Sequence, residues 1–459
     1  MPASTTSAQP PPGPDTAERL LIFARVPQPG QAKTRLIPAL GQEQASRLHH
    51  ALTLKTLAAA AELVSRRPVG VEAWFAGGDE PARRQLLGSY PFSSHVQQGD
   101  DLGERLRRAV SAAFAGGGQR VVVIGTDCPD INAKTLATAF DALQRHDVVW
   151  GPAQDGGYYL VGLRRDQPEL FQGIDWGTEH VLRQSLAVCR SMGLKVHQLA
   201  ALPDVDRAED LVVCRRIGQE LAEVLPTVVP GRISIIMPTL NEAANIERTL
   251  QAIAGQGDIE VIVADGGSSD ETAETAVRCG AIVVRANRGR GRQLNAGAAL
   301  ASGQVLLFLH ADTLLPAGFA QQVWQTLQQG AVAGAFRLHI DSDRAGFRLI
   351  EWGANLRSRY LHMPYGDQGL FMRSDTFYEL GGFPNWPLME DYELCRRLLR
   401  RGRISLVAEP VRTSARRWLR RGIWRTTLLN QLCVAGYRLG VCPERLAKWY
   451  AGRGGRKQD

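Results

Sequence analysis

Twice along this chain the segments follow one order: a short apolar run, a polar turn beginning with Pro, a stretch of helical periodicity, and later a second apolar run closed by an acidic turn. The acidic turns read GTDCPD at 125–130 and HADTLLP at 310–316. Strand and helix periods alternating in this way give a mostly parallel sheet covered by helices. In the first half, Leu20–Ala24, Val69–Phe75, Arg120–Ile124, Asp147–Trp150 and Tyr158–Leu163 read as strands. Gly41–Val64 reads as a helix, and Leu102, Leu106, Ala109 and Ala113 mark one face of another. From Arg232 the order restarts. Ile233–Met237, Glu260–Ala264, Ala281–Val284 and Val305–Leu309 read as strands, with helices through Ile246, Leu250 and Ile253 and over Gln293–Leu300. Two α/β units of one architecture are expected, at about 19–225 and 232–459, joined by a linker at 226–231.

A length of 459 residues suits two such domains. Apolar residues at 44% and charged residues at 22% exclude a largely disordered chain and a multi-span membrane protein. Residues 1–18, rich in Pro, Ser and Thr, lack the basic start and apolar centre of a signal peptide and read as a disordered leader. The seven Cys form no C-x-x-C pair, as suits reduced thiols in a cytoplasmic protein. Eleven Arg against one acid, Glu409, lie between Arg396 and Arg425, which outweighs the +8 of the whole chain. The basicity is therefore one patch, whose partners would be phosphates of nucleotide or lipid.

Ligands of open α/β sheets sit at the carboxyl ends of the strands. In the second unit these ends carry Asn241, Glu242, Asp265, Asp270 and Asp312. A lone Asp there is more commonly a turn former or cap. Several after separate strands can grip a sugar nucleotide, with Mg²⁺ or Mn²⁺ held by oxygen ligands.

The segments PTLNEAANI, VIVADGGSSDET, RGRQLNAGAALASG, FLHADTLLP and GGFPNWPLMEDYELCRRL, in this order from about Ile233 to Arg401, resemble family-2 glycosyltransferases of GT-A fold, nearest the arsenosugar-biosynthesis group. The resemblance implies that Pro238, Thr239, Asn241 and Glu242 line the nucleotide site and that Asp265 contacts the base. It makes Asp312 the last Asp of the metal motif, whose first Asp is here His310, and Asp391 the catalytic base. Arg290 and Arg292 would hold phosphates, and Asp367 in GDQGLF would face the acceptor. SARRW at 414–418 resembles the Q-x-x-R-W of processive members, with Ser414 in place of Gln.

In the first unit PGQAKTRL follows the first strand, and Lys33 and Arg35 make a phosphate cradle. Asp127 and Asp206 are the candidate metal ligands there. With QGDDLGERL, DGGYYLVGL and IDWGTEHVL, this unit resembles uncharacterised GT-A-like domains of DUF2064 type, related to nucleotidyltransferases. The implied fold is two tandem GT-A-like, nucleotide-diphospho-sugar-transferase-type domains. The implied function is glycosyl transfer from a nucleoside-diphosphate sugar by the second, and binding of a nucleotide, including a nucleoside triphosphate, by the first. Two sequential glycosyltransferases, or a first domain acting as sensor or scaffold, are the rivals. Thr426–Cys442 is too short and polar to span a bilayer. Its face of Leu428, Leu432, Ala435 and Leu439 either packs on its own domain or lies on an anionic membrane beside the basic patch. No nucleic-acid module is recognised.

Overall fold

The computed structural model describes residues 16–217 and 219–452. Most of the leader, residues 1–15, lies outside the described residues. The chain divides into two compact units, Met1–Asp206 and Arg207–Asp459.

The first unit holds strands β1 Glu18–Arg25, β2 Gly70–Ala76, β3 Ser93–Val96, β4 Arg120–Gly125, β5 Val148–Pro152, β6 Tyr158–Leu163 and β7 Val196–Gln198. Its helices are α1 Ile37–Val64, α2 Glu80–Leu87, α3 Leu102–Ala115, α4 Ala133–Ala142 and α5 Val181–Ser191. The sheet order is β3-β2-β1-β4-β6-β5-β7. Strands β3, β2, β1 and β4 run parallel, and β6 turns antiparallel to both β4 and β5. The strands are apolar throughout because both faces are covered. Leu20, Ile22, Val122 and Ile124 meet α1 and α4 on one side. Leu21, Val121 and Val123 meet α3 on the other.

The second unit contains β8 Val229–Thr239, β9 Ile259–Asp265, β10 Ile282–Arg285, β11 Gly303–Phe308, β12 Thr313–Leu314, β13 Ala333–Asp341, β14 Leu370–Arg373 and β15 Ile404–Ser414. Its helices are α6 Val212–Ile217, α7 Gln219–Ala222, α8 Ala243–Ile253, α9 Thr272–Arg278, α10 Arg290–Ala299, α11 Phe319–Gln328, α12 Ala345–Tyr360, α13 Ser374–Glu379, α14 Glu390–Leu399, α15 Arg416–Arg421, α16 Ile423–Arg438 and α17 Pro443–Gly452. The order is β10-β9-β8-β11-β14-β13-β15-β12, with the first four parallel. Ile233, Ile235, Met237, Val305 and Leu307 bury one face against α8 and α11. On the other face α10 lies so close that a Cβ at Gly297 would come within 2.5 Å of Ile236. Both sheets are mostly parallel, as the alternating pattern predicts; β6 in the first and β14 and β12 in the second run against the rest.

The domain boundary differs from the expected one. Ala208–Leu211 and α6 pack on α10, within the second unit. Arg215 fixes them by donating to the carbonyls of Pro226, Ala299 and Ala301 at 2.7, 3.5 and 3.1 Å. Val229–Gly231, read as the end of a linker, is the start of β8, with the Val229 amide bonded to the Ser302 carbonyl at 2.7 Å.

Candidate active sites

In the second unit Thr239, Asp265 and the turn after β11 end three parallel strands at one edge of the sheet, and the loops beyond them interlock. Asp265 is buried and accepts hydrogen bonds from the amides of Gly267 and Ser268, both at 3.0 Å, and from the Thr239 hydroxyl at 3.3 Å. Asn241 takes the left-handed conformation (φ 56°) and joins the two loops, its amide donating to Ser268 Oγ and its side-chain oxygen accepting from the Ser269 amide at 2.8 Å. Gln293 of α10 donates to the carbonyls of Thr239 and Ala264. Pro238, Thr239, Asn241 and Asp265 thus lie together at the ends of β8 and β9.

Glu242 and Asp312 share one cation. The Arg416 guanidinium donates to both Glu242 oxygens at 2.8 and 2.7 Å and lies 3.4 Å from Asp312 Oδ2. Burial first, and Glu242 second, raise the Asp312 pKa despite Arg416. A side chain added at Gly366 would meet Asp391 Oδ2 at 3.2 Å and His310 Nε2 at 3.7 Å, so the His310 ring and the Asp391 carboxylate both face Gly366.

Asp391 lies in the first turn of α14, entered through Met389 in the left-handed conformation (φ 72°). Its Oδ2 accepts the Gly366 amide at 2.8 Å and its Oδ1 the Tyr392 amide at 2.7 Å. Glu390 points inward, is buried, and is bonded to Arg290 at 3.1 Å. Burial above all raises the Glu390 pKa, with Asp391 adding to it and Arg290 opposing. The Arg290 pKa is raised by Glu390 first, then by Asp391 and Asp367. Asp367 therefore shares this cluster, in a half-buried 3₁₀ turn, Gly366–Gln368. Arg292 is bonded instead to the Asn385 side chain.

In the first unit a cleft of about 740 Å³ is lined by Lys33, Arg35, Asp127, Asp155, Asp204 and Asp206, among others. Lys33, also left-handed (φ 50°), buries its ammonium against Asp127 at 2.7 Å and donates to the Val205 carbonyl. Burial works against that charge, but Asp127, with Asp206 and Asp204 beyond it, holds the pKa above the ordinary lysine value. Burial likewise opposes the Asp127 charge, and Lys33 pulls its carboxyl below the usual range. Arg35 pairs with Asp206. The two expected metal ligands are thus each bonded to a cation of the cradle. Asp204, by contrast, is pushed up to about 6 by burial and then by Asp155.

The family models fit this division. One described as "Uncharacterized protein conserved in bacteria (DUF2064)" matches residues 56–178, and one described as "Glycosyl transferase family 2" matches 234–380. The chain is a DUF2064 domain followed by a family-2 glycosyltransferase domain. Among curated proteins, an uncharacterized glycosyltransferase of Nostoc sp. is 29% identical over 119 residues, 24% of this chain and 37% of that protein. Glucosyl-3-phosphoglycerate synthase of Mycobacterium tuberculosis is 32% identical over 113 residues, 22% of this chain and 35% of that one. The chain thus spans about a third of the length of these curated relatives. Of solved structures, a Desulfovibrio desulfuricans G20 protein assigned as a nucleotide-diphospho-sugar transferase is 35% identical, with 44% of this chain and 88% of that one covered and a TM-score of 0.42.

In the glycosyltransferase domain the donor set suits a cation that arrives with its substrate. Among the described residues no three metal-ligating side chains converge. Glu242 and Asp312 set two carboxylates against the one Arg416 cation, and Mg²⁺ commonly takes one or two carboxylates and completes its shell with water and substrate phosphates. In the DUF2064 domain Asp155 and Asp204 line the same cleft, near enough that Asp155 adds to the burial that raises the Asp204 pKa. Neither is singled out by the sequence, although Asp155 opens DGGYYLVGL and Asp204 lies two residues before Asp206. Arg416 was missed because its partners lie 174 and 104 positions away.

Proposed function

We propose that the glycosyltransferase domain transfers a sugar from a nucleoside-diphosphate sugar to an acceptor hydroxyl, with Asp391 as general base. The observation that carries this is the placing of Asp391 between the Gly366 amide and Arg290, beside the loops that hold Asp265 and Asp312. Each Asp391 oxygen accepts one backbone amide, which fixes the carboxylate in direction for the transfer of a proton. As the acceptor oxygen bonds to the sugar carbon, its proton passes to Asp391 and the sugar–diphosphate bond breaks. Arg290 and Arg416 supply positive charge toward the departing diphosphate. Asp312 would hold Mg²⁺ or Mn²⁺, which supplies Lewis-acid stabilisation of that diphosphate. Asp265 would receive the base, with Asn241 and Pro238 shaping its loop. Likeness to a glucosyl-3-phosphoglycerate synthase supports a sugar-nucleotide donor. Turnover of a panel of nucleotide sugars by the full chain, with and without EDTA, tests this reading. Absence of donor binding and of turnover across the panel would overturn it.

The DUF2064 domain we read as a nucleotide site, with Lys33 and Arg35 toward phosphates and the Asp155 and Asp204 carboxylates toward a cation that arrives with the nucleotide. Nucleotidyl transfer is the chemistry that such a cleft supports. The seven free cysteines support a reducing cytoplasmic setting. Among the described residues no helix is long and apolar enough to cross a membrane.

A further inference from the structure

Two neighbouring helices of the glycosyltransferase domain turn their apolar faces outward. In α12, Phe347, Glu351, Ala354 and Ser358 point inward at spacings of 4, 3 and 4. Leu349, Trp352, Leu356 and Tyr360, at spacings of 3, 4 and 4, form the opposite face and are 54%, 62%, 40% and 65% exposed. The inward face is partly polar by design of its contacts: Glu351 accepts the Ile340 amide and an Arg348 guanidinium, and Ser358 bonds Gln368. In α16, Thr426 and Cys433 are buried, whereas Leu428, Leu432 and Leu439 are exposed. The face expected to pack, if this helix served its own domain, is the outer one. The two helices pack on each other, with Ile423 against Gly346. Trp449 of α17 is half exposed as well.

Burial stabilises apolar side chains, so a soluble domain that leaves two Leu-rich stripes and two large aromatics outside has a partner for them. The charge around them says which. Arg344 and Arg359 flank the α12 stripe and Arg425 and Arg438 lie exposed on α16. Facing copies of this surface across a two-fold axis would oppose these arginines. Anionic lipid headgroups would neutralise them, while Trp and Tyr sit at the depth where a membrane is apolar on one side and wet on the other. The chain leaving α12 at Tyr360 runs directly into Tyr365, which stacks on Arg357 at 3.3 Å, and into Gly366, which holds Asp391.

We propose that the outer face of α12 and α16 docks on an anionic membrane and presents the acceptor side of the glycosyltransferase site to the lipid surface. This rests on the glycosyl-transfer reading only for the word acceptor; the docking itself stands on the helices. The experiment is co-sedimentation of the full chain with vesicles of phosphatidylcholine alone and of about three parts phosphatidylcholine to one part phosphatidylglycerol, at low salt and at roughly 0.5 M NaCl. The wild type should bind the anionic vesicles, less so at high salt. Trp352→Ser with Leu356→Ser, and Leu428→Ser with Leu432→Ser, should each weaken that binding by about tenfold or more. All four side chains are exposed and outside the donor site, so donor binding by calorimetry should not change in either variant. A loss of donor binding by the wild type would count against the glycosyl-transfer reading and leave the docking result intact. Docking is overturned if the variants sediment like the wild type, if neither vesicle binds, or if the serine pairs abolish self-association of the chain instead.

Discussion

Glu390 and Asp391 are adjacent acids with opposite environments. Asp391 is half-buried and takes two backbone amides, whereas Glu390 is buried against Arg290. Asp391→Asn should therefore lower transfer by about 10²–10⁴-fold, the usual worth of a general base, with donor affinity nearly unchanged. Glu390→Gln leaves Arg290 without its buried counter-charge, so it should lower the melting temperature and weaken donor binding as well. Transfer rate, donor affinity and thermal melting of the two variants separate these roles; normal transfer by Asp391→Asn would remove it from the chemistry. Arg416 allows a second prediction. It neutralises Glu242 and Asp312, so Arg416→Ala should tighten Mn²⁺ binding by roughly twofold to fivefold, the scale of a partly exposed ion pair. Titration of Mn²⁺ by electron paramagnetic resonance would show this, and weaker binding would mean that Arg416 organises the carboxylates and does not compete for them.

Between elements, α14 and α16 are joined by Glu393. Its carboxylate accepts Arg396, Arg397 and the Tyr437 hydroxyl at 2.7 Å. Burial alone would raise its pKa, but these donors hold it at about 2. A depressed carboxylate adds stability above its unfolded value of about 4.3, and loses that contribution as pH falls from there towards 2. Glu393→Gln should cost about 1–3 kcal/mol near neutral pH. The difference from wild type, followed by thermal melts, should shrink below pH of about 4. A difference independent of pH would mean that shape and not charge is what the carboxylate provides. At loop level, the described residues include four non-glycine positions with positive φ: Lys33, Asn241, His362 and Met389. Three enter candidate site loops directly and the fourth precedes the Asp367 turn, which is where backbone strain tends to gather.

Across the molecule each unit carries its own cleft and its own cations, so damage to one should spare the other. Lys33→Ala removes the partner of Asp127 and the bond to the Val205 carbonyl. It should weaken binding of Mg²⁺–nucleoside triphosphate to the full chain by about tenfold or more, since it removes a charge-assisted contact. Turnover of nucleotide sugar by the glycosyltransferase domain should not change. Calorimetry and donor turnover on one preparation test both halves of this expectation. A parallel fall in the two would show that the units are coupled.

The strands β1, β2, β4–β6 and β8–β11, the two-unit order and the loops bearing Asp127, Asp265, Asp312 and Asp391 are legible in the sequence because each follows from local pattern, whereas the short edge strands β3, β7 and β12 and the later β13–β15 are not. An apolar run buried on both faces shows itself at short range, and so does the polar turn that ends it. What the sequence withheld depends on distant partners. The chain break at Pro226–Gly231 is visible in composition, yet only packing assigns 207–225 to the second core, through Arg215 and three carbonyls. The metal motif places His310 two residues from Asp312, yet only the fold brings the His310 ring to Gly366 beside Asp391 and Arg416 to Asp312. A stripe of leucines at helical spacing is readable in α16, but which way the stripe faces is set by the rest of the domain. Periodicity fixes the relative directions of side chains along one helix; only the tertiary neighbours decide which direction is inward.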